Sequence, residues 1–245
     1  MKRIKAKQKH LKSCITVVCI FLLAGSTALQ AQDKAIINVG GELVNRFIWR
    51  GMSLNTSPSI QPYIEYSKGG FTLGTWGSYT FAQEPYQEVD VYIDYSFKNI
   101  SITLNDYFAP VDSLFTNNEY FNWNKGSTSH ALEAILTVTD LGGLPLTFTG
   151  GVFIYGNDLD ENGKNYYSTY LELNYDFNIG DNTVSSFVGI TPDKGYYSEQ
   201  FDVVNAGFTV ARDIEITDRF SLPIYGSFIV NPSTENVFMV MGLAF

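Results

Sequence analysis

The sequence predicts an all-β protein, a transmembrane antiparallel β-barrel of about twelve strands. Three observations predict it. The stretch Asn236–Phe245 alternates with period two, yet both of its faces are apolar: Val237, Met239, Met241, Leu243 and Phe245 on one, Phe238, Val240, Gly242 and Ala244 on the other. An apolar outer face calls for apolar surroundings, and lipid supplies them. The composition agrees. Charged residues make up 17% of the chain and aromatic residues 15%, against roughly 25% charged in soluble domains. Beyond the N-terminal segment there is no apolar run long enough for a membrane helix. The connections are also sorted, short ones alternating with longer ones, as on the two rims of an outer-membrane barrel.

Residues 1–32 read as a cleaved secretory signal peptide. Lys2, Arg3, Lys5, Lys7, Lys9 and Lys12 form a basic start, Cys14 to Ala24 a short apolar core, and Ala28-Leu29-Gln30-Ala31-Gln32 a small-residue cleavage site. Both cysteines, Cys14 and Cys19, lie in this segment, and Leu23-Ala24-Gly25 is followed by Ser26 rather than by a lipidated cysteine. The barrel, 33–245, therefore carries no thiol chemistry. Loss of six basic residues and no acidic ones takes the net charge from −9 to −15. That balance excludes nucleic acid as a partner and suits a lumen or surface that attracts cations.

The strands fall at 36–50, 58–67, 70–81, 87–97, 100–109, 128–139, 146–156, 165–177, 183–191, 201–212, 219–230 and 236–245. Short turns are expected at 67–70, 98–99, 140–145, 178–182 and 213–218. Longer loops are expected at 51–57, 82–86, 110–127, 157–164, 192–200 and 231–235. An even strand count puts both barrel ends on the short-turn, periplasmic rim. Val89, Val91, Ile93, Tyr95 and Phe97 oppose Glu88, Asp90, Tyr92, Asp94 and Ser96, and the other strands follow the same rule. Asn45 and Asp106 break it by falling on outward faces, where a bulge or a position above the membrane would accommodate them.

The inward faces collect Glu42, Arg46, Arg50, Glu65, Glu88, Asp90, Asp94, Glu133, Glu172 and Asp176. Arg46 and Arg50 among these carboxylates are the expected constriction, paired because an unpaired charge in a crowded lumen is costly. Two readings stay open: a narrow charge-selective channel and a salt-bridged plug. Eight strands leave room only for side chains, sixteen leave an aqueous pore, and twelve lies between.

Other motifs have weaker chemistry. Asp158-Leu159-Asp160-Glu161-Asn162-Gly163 begins like a calcium loop, with Asp158, Asp160 and Asn162 as ligands, but its twelfth position is Thr169 instead of Glu. Catalysis would have to use His130 with Ser127, Thr128 or Ser129, and no Gly-x-Ser-x-Gly is present. No enzyme activity, metal or cofactor is expected. Trp49, Trp76 and Trp123 read as girdle or lumen aromatics, and the 110–127 loop with Tyr120, Phe121 and Trp123 as a lumen constriction, a rim element or an aromatic sugar platform.

Several stretches resemble the TorF-like (Gcw_chp-type) family of outer-membrane porins. They are Asn45-Arg46-Phe47-Ile48-Trp49-Arg50-Gly51-Met52-Ser53, Pro58-Ser59-Ile60-Gln61-Pro62, Phe71-Thr72-Leu73-Gly74-Thr75-Trp76-Gly77-Ser78 and Glu88-Val89-Asp90-Val91-Tyr92. Asn105-Asp106-Tyr107 and Asn231-Pro232 resemble the Bacteroidetes-type form. Terminal Phe245 resembles the signal read by the outer-membrane barrel assembly machinery. The resemblance implies a barrel in the lipid of a Gram-negative outer membrane and a transport role. The expected function is a porin-like passive channel for small polar solutes or ions. The alternative is a closed barrel with a salt-bridged lumen, whose extracellular loops engage a partner.

Overall fold

The computed structural model describes residues 34–82, 86–110, 118–218 and 220–245; the expected signal peptide lies outside them. Among the described residues fourteen strands form: β1 (Ile36–Val44), β2 (Phe47–Trp49), β3 (Met52–Asn55), β4 (Ser59–Lys68), β5 (Phe71–Thr80), β6 (Gln87–Phe97), β7 (Ile100–Phe108), β8 (His130–Val138), β9 (Leu146–Gly156), β10 (Thr169–Ile179), β11 (Asn182–Thr191), β12 (Asp202–Thr217), β13 (Phe220–Asn231) and β14 (Asn236–Ala244). Twelve of them close an antiparallel barrel in the order β1-β14-β13-β12-β11-β10-β9-β8-β7-β6-β5-β4, and β2 and β3 form a separate hairpin. No helix among the described residues is long and apolar enough to cross a membrane.

Register settles the faces. Asn38↔Glu65, Trp76↔Asp90, Asn105↔Glu133 and Glu172↔Gly189 meet across neighbouring strands, so all of these point inward. The opposite face carries Val39, Ile64, Ile93, Ile102, Phe208, Val237 and Met239, all exposed. A continuous belt of large apolar side chains around a closed wall is stable only against lipid, because water would charge the full hydrophobic penalty over the whole circumference.

The two largest boundary changes fall at β12 and β1. The span 201–212 continues to Thr217, because Asp213, Ile214 and Glu215 pair with Pro223, Leu222 and Ser221 where a turn was expected. The span 36–50 stops at Val44. There the chain leaves the wall, and Asn45 takes over the edge of β14 with its side chain. Its Nδ2 donates to Met239 O at 3.2 Å, and its Oδ1 accepts from Met241 N at 2.9 Å. An outward Asn is thus tolerated because both amide atoms replace ladder hydrogen bonds.

Candidate functional site

Residues that continue the alternation of β1 turn inward instead. Trp49 pairs with Met52 around a two-residue turn, Arg50-Gly51, whose φ angles are 49° and 76°. Positive φ at both central positions is the geometry of the tight hairpin turn that matches strand twist. Gly51 sits where a Cβ would lie 2.0 Å from the Val204 carbonyl oxygen on β12. Its own carbonyl accepts from Asn231 Nδ2 of β13 at 3.1 Å. Phe47 meets Trp76 of β5, and Trp49 meets Tyr107 of β7 and Phe153 of β9. One hairpin thus touches the wall on many sides, within the long-loop half of the barrel.

Arg50 is the anchor. Its Nη1 lies 2.6 Å from Glu133 Oε1 and its Nη2 3.0 Å from Oε2, a bidentate pair. It also donates to the Tyr197 hydroxyl, and its guanidinium lies 4.5 Å from the ring centres of Trp49 and Tyr170. The Glu133 side chain is 0% exposed and the Arg50 side chain 11%. Ala131, Phe153, Tyr170, Tyr197 and Val204 form a hydrophobic core around this knot, with Trp49, Met52 and Tyr107 packed against it.

The second expected pairing does not form. Arg46 lies beyond the end of β1, its Nε is buried without a hydrogen-bond partner, and no ion pair among the described residues includes it. Tyrosine hydroxyls take the place of arginines. Tyr225 donates to Glu42 at 3.0 Å, Tyr92 to Glu65 at 2.6 Å and Tyr107 to Glu133 at 2.7 Å; Tyr86 donates to Glu88 and Tyr170 to Glu172. Asp94 accepts from Ser96, Ser101 and Thr103, and Asp176 from Ser185. The rings fit because several face glycine: a Cβ on Gly74 would fall 2.3 Å from the Tyr92 ring on the next strand. Neutral hydroxyls thus satisfy these carboxylate oxygens where cationic side chains were expected.

Two cavities flank the hairpin. A small one of about 60 Å³ lies toward the long loops and a larger one of about 570 Å³ lies within the wall of β4–β8. Both are lined by Trp49, Glu88 and Tyr107. These three residues border both. Sequence reasoning gave Glu88 a lumen position but missed that Trp49 joins it there, since Trp49 reaches it only by the inward fold. The Arg50-Gly51 pair between two short apolar runs is the signal that could have exposed the hairpin.

The described part of the 110–127 loop packs at the rim, as one of its expected readings had it, against His130 at the start of β8. It folds over the outside of the wall. His130 and Asp106 both face outward on β8 and β7, yet His130 is fully buried. Its Nδ1 is 2.9 Å from Asp106 and its Nε2 is 2.6 Å from the Tyr120 carbonyl. Trp123 stacks on the ring at 3.7 Å, and Tyr155 Oη donates to the Trp123 carbonyl. This cover explains the outward Asp106. The nitrogen that a hydrolytic triad would aim at a serine instead faces a carbonyl.

The calcium candidates separate. Asp158 is buried and accepts from the Ser168 N–H and hydroxyl, whereas Asp160 accepts from the backbone N–H groups of Lys164 and Asn162. The Lys164 amide, helped by that of Asn162, holds the exposed Asp160 carboxyl below the usual carboxylate range. Asn162 is exposed at the loop surface, away from any shared centre with buried Asp158. Phe245 pairs its backbone N–H and C=O with Gly41, its ring against that glycine.

No family model and no curated protein matches the chain, so the likeness to the TorF-like porins stands on the quoted residues alone. Among solved structures, the chain is similar to a double mutant of the porin of Rh. blastica. The two share 11% identity over 86% of this chain and 99% of the other, with a TM-score of 0.30. An overlap that low lends no weight to function.

Proposed function

We propose that this protein is an outer-membrane channel of porin type for small polar solutes, with a preference for cations. The observation that carries this reading is the pair of cavities that share Trp49, Glu88 and Tyr107 in their linings. A carboxylate where the two cavities meet, in a lumen where several acids take neutral hydroxyls, selects by charge. On this reading the constriction is formed by these three side chains and not by the Arg46–Arg50 pair, and Arg50 serves to hold the hairpin. The apolar outer belt and the sorting of short and long connections support placement in an outer membrane, with the terminal strand as the element offered to the barrel assembly machinery.

The test is planar-bilayer conductance of refolded protein in a salt gradient. Wild type is expected to show small discrete steps with cation preference. Trp49→Ala is expected to enlarge the steps, and Glu88→Gln to reduce the preference. A well-folded barrel that gives no steps in either wild type or Trp49→Ala refutes the channel. A second reading, a closed barrel that presents its loops to a partner, is favoured by one feature: the Arg50–Glu133 pair is buried beside a hydrophobic cluster inside the wall. Silent wild type with conducting hairpin variants would select that reading.

A further inference from the structure

We propose that the larger cavity is a binding site for a small organic ammonium ion, with Glu88 and Asp90 as its counter-charges and aromatic faces as its walls. The inference rests on the aqueous lumen proposed above and adds the class of solute.

Glu88 and Asp90 stand two residues apart on β6 and so share one face. Both are buried, at 4% and 7% exposure, and both line the cavity. Glu65 lines it as well, and no Lys, Arg or His does. Glu65 and Glu88 each receive a tyrosine hydroxyl. Asp90 does not. Its Oδ2 accepts from Asn105 Nδ2 at a long 3.5 Å, and its Oδ1 is buried without a hydrogen-bond partner among the described residues. A buried, unpaired carboxylate oxygen beside a second carboxylate is costly unless a proton or a cation joins them. A cation seated between the two acids removes both the repulsion and the missing hydrogen bond.

The walls decide which cation. Trp76, Tyr63, Tyr92 and Trp49 line the same space. Ring faces attract ammonium groups and accommodate the apolar body attached to them. A hard divalent ion needs six or more oxygen ligands, and among the described residues no three His, Cys, Asp or Glu stand together to hold a metal. A cavity of about 570 Å³ falls in the usual size range for small organic ligands.

The test is calorimetric titration of refolded full-length protein in detergent with phenethylammonium, and with 2-phenylethanol as a neutral analogue of similar shape. The ammonium is expected to bind, and the alcohol to bind at least about tenfold more weakly. Asp90→Asn and Glu88→Gln, each verified as a folded barrel by circular dichroism and heat-modifiable gel migration, are expected to weaken ammonium binding at least about tenfold. Magnesium at matched ionic strength is expected to compete no better than sodium. Equal binding of the alcohol, undiminished binding by both variants, or preferential displacement by magnesium would each overturn the site. Conductance is read separately. Binding without conductance removes the channel and leaves the site; conductance without binding removes the site and leaves the channel.

Discussion

Arg50→Ala tests how the hairpin is held. The substitution strands Glu133, whose side chain is 0% exposed, with only the Tyr107 hydroxyl at 2.7 Å as a neutral donor. Breaking a buried, bidentate pair by removing one partner typically costs about 3–5 kcal/mol, most of it the uncompensated charge left behind. Loss of cation–π contacts with Trp49 and Tyr170, each at 4.5 Å, adds to that. The twelve-strand ladder does not depend on the hairpin for its hydrogen bonds, so the cost falls on hairpin docking and not on the barrel. At about 1.4 kcal/mol per tenfold, the docked-to-released ratio should fall by two to more than three powers of ten. Hydrogen exchange at the amides of 47–55 reads that ratio directly. Exchange there should accelerate by a comparable factor, while β10–β13 stay protected. Glu133→Gln added to Arg50→Ala should restore part of the protection, because the stranded charge is gone. If the single variant leaves 47–55 protected, aromatic packing alone holds the hairpin and the ion-pair argument fails.

Gly51→Ala should also dislodge the hairpin, by a different route. The new Cβ would meet a backbone carbonyl at 2.0 Å in a conformation with φ 76°, so neither partner can yield cheaply. A loss of docking of about 1–3 kcal/mol or more is expected by exchange, and wild-type protection would refute it. His130→Ala removes the stack with Trp123 and the bonds to Asp106 and Tyr120, so limited trypsin digestion at Lys125 should become much faster with the barrel intact. Unchanged cleavage would mean that the loop is held elsewhere. The turn at Asp160 should loosen in acid. Its carboxyl is held below the usual range by the amides of Lys164 and Asn162. That stabilisation is present above the ordinary carboxylate pKa of about 4 and is lost as pH falls through the lower folded value. Asp160→Asn should remove the pH dependence of amide exchange at 162–164, and a persistent dependence would assign it to another group.

The barrel was legible in the sequence because its determinants are local and periodic. In β6 or β14 each side chain faces lipid or lumen by parity alone, so Val89 and Glu88 declare their sides without knowledge of any partner. The lumen placement of Glu65, Asp94 and Glu172 followed from the same parity, and the sorting of the rims followed from the lengths of the connections. What parity cannot tell is where a chain stops following the wall. Phe47, Ile48 and Trp49 continue the alternation of β1, yet they leave it, because the interior of a twelve-stranded wall leaves space that an aromatic hairpin fills and a straight strand does not. Partner choice is likewise non-local. Glu133 takes Arg50, 83 residues away, while Glu42 takes Tyr225, 183 residues away. Asp106 and His130 lie on a face that parity assigns to lipid, and only the folded loop above them makes an outward acid and imidazole tolerable. The sequence by itself thus determined the wall, its two faces and its rims. The tertiary structure decided what fills the wall and what covers it, because those contacts depend on space and charge gathered from strands far apart in the chain.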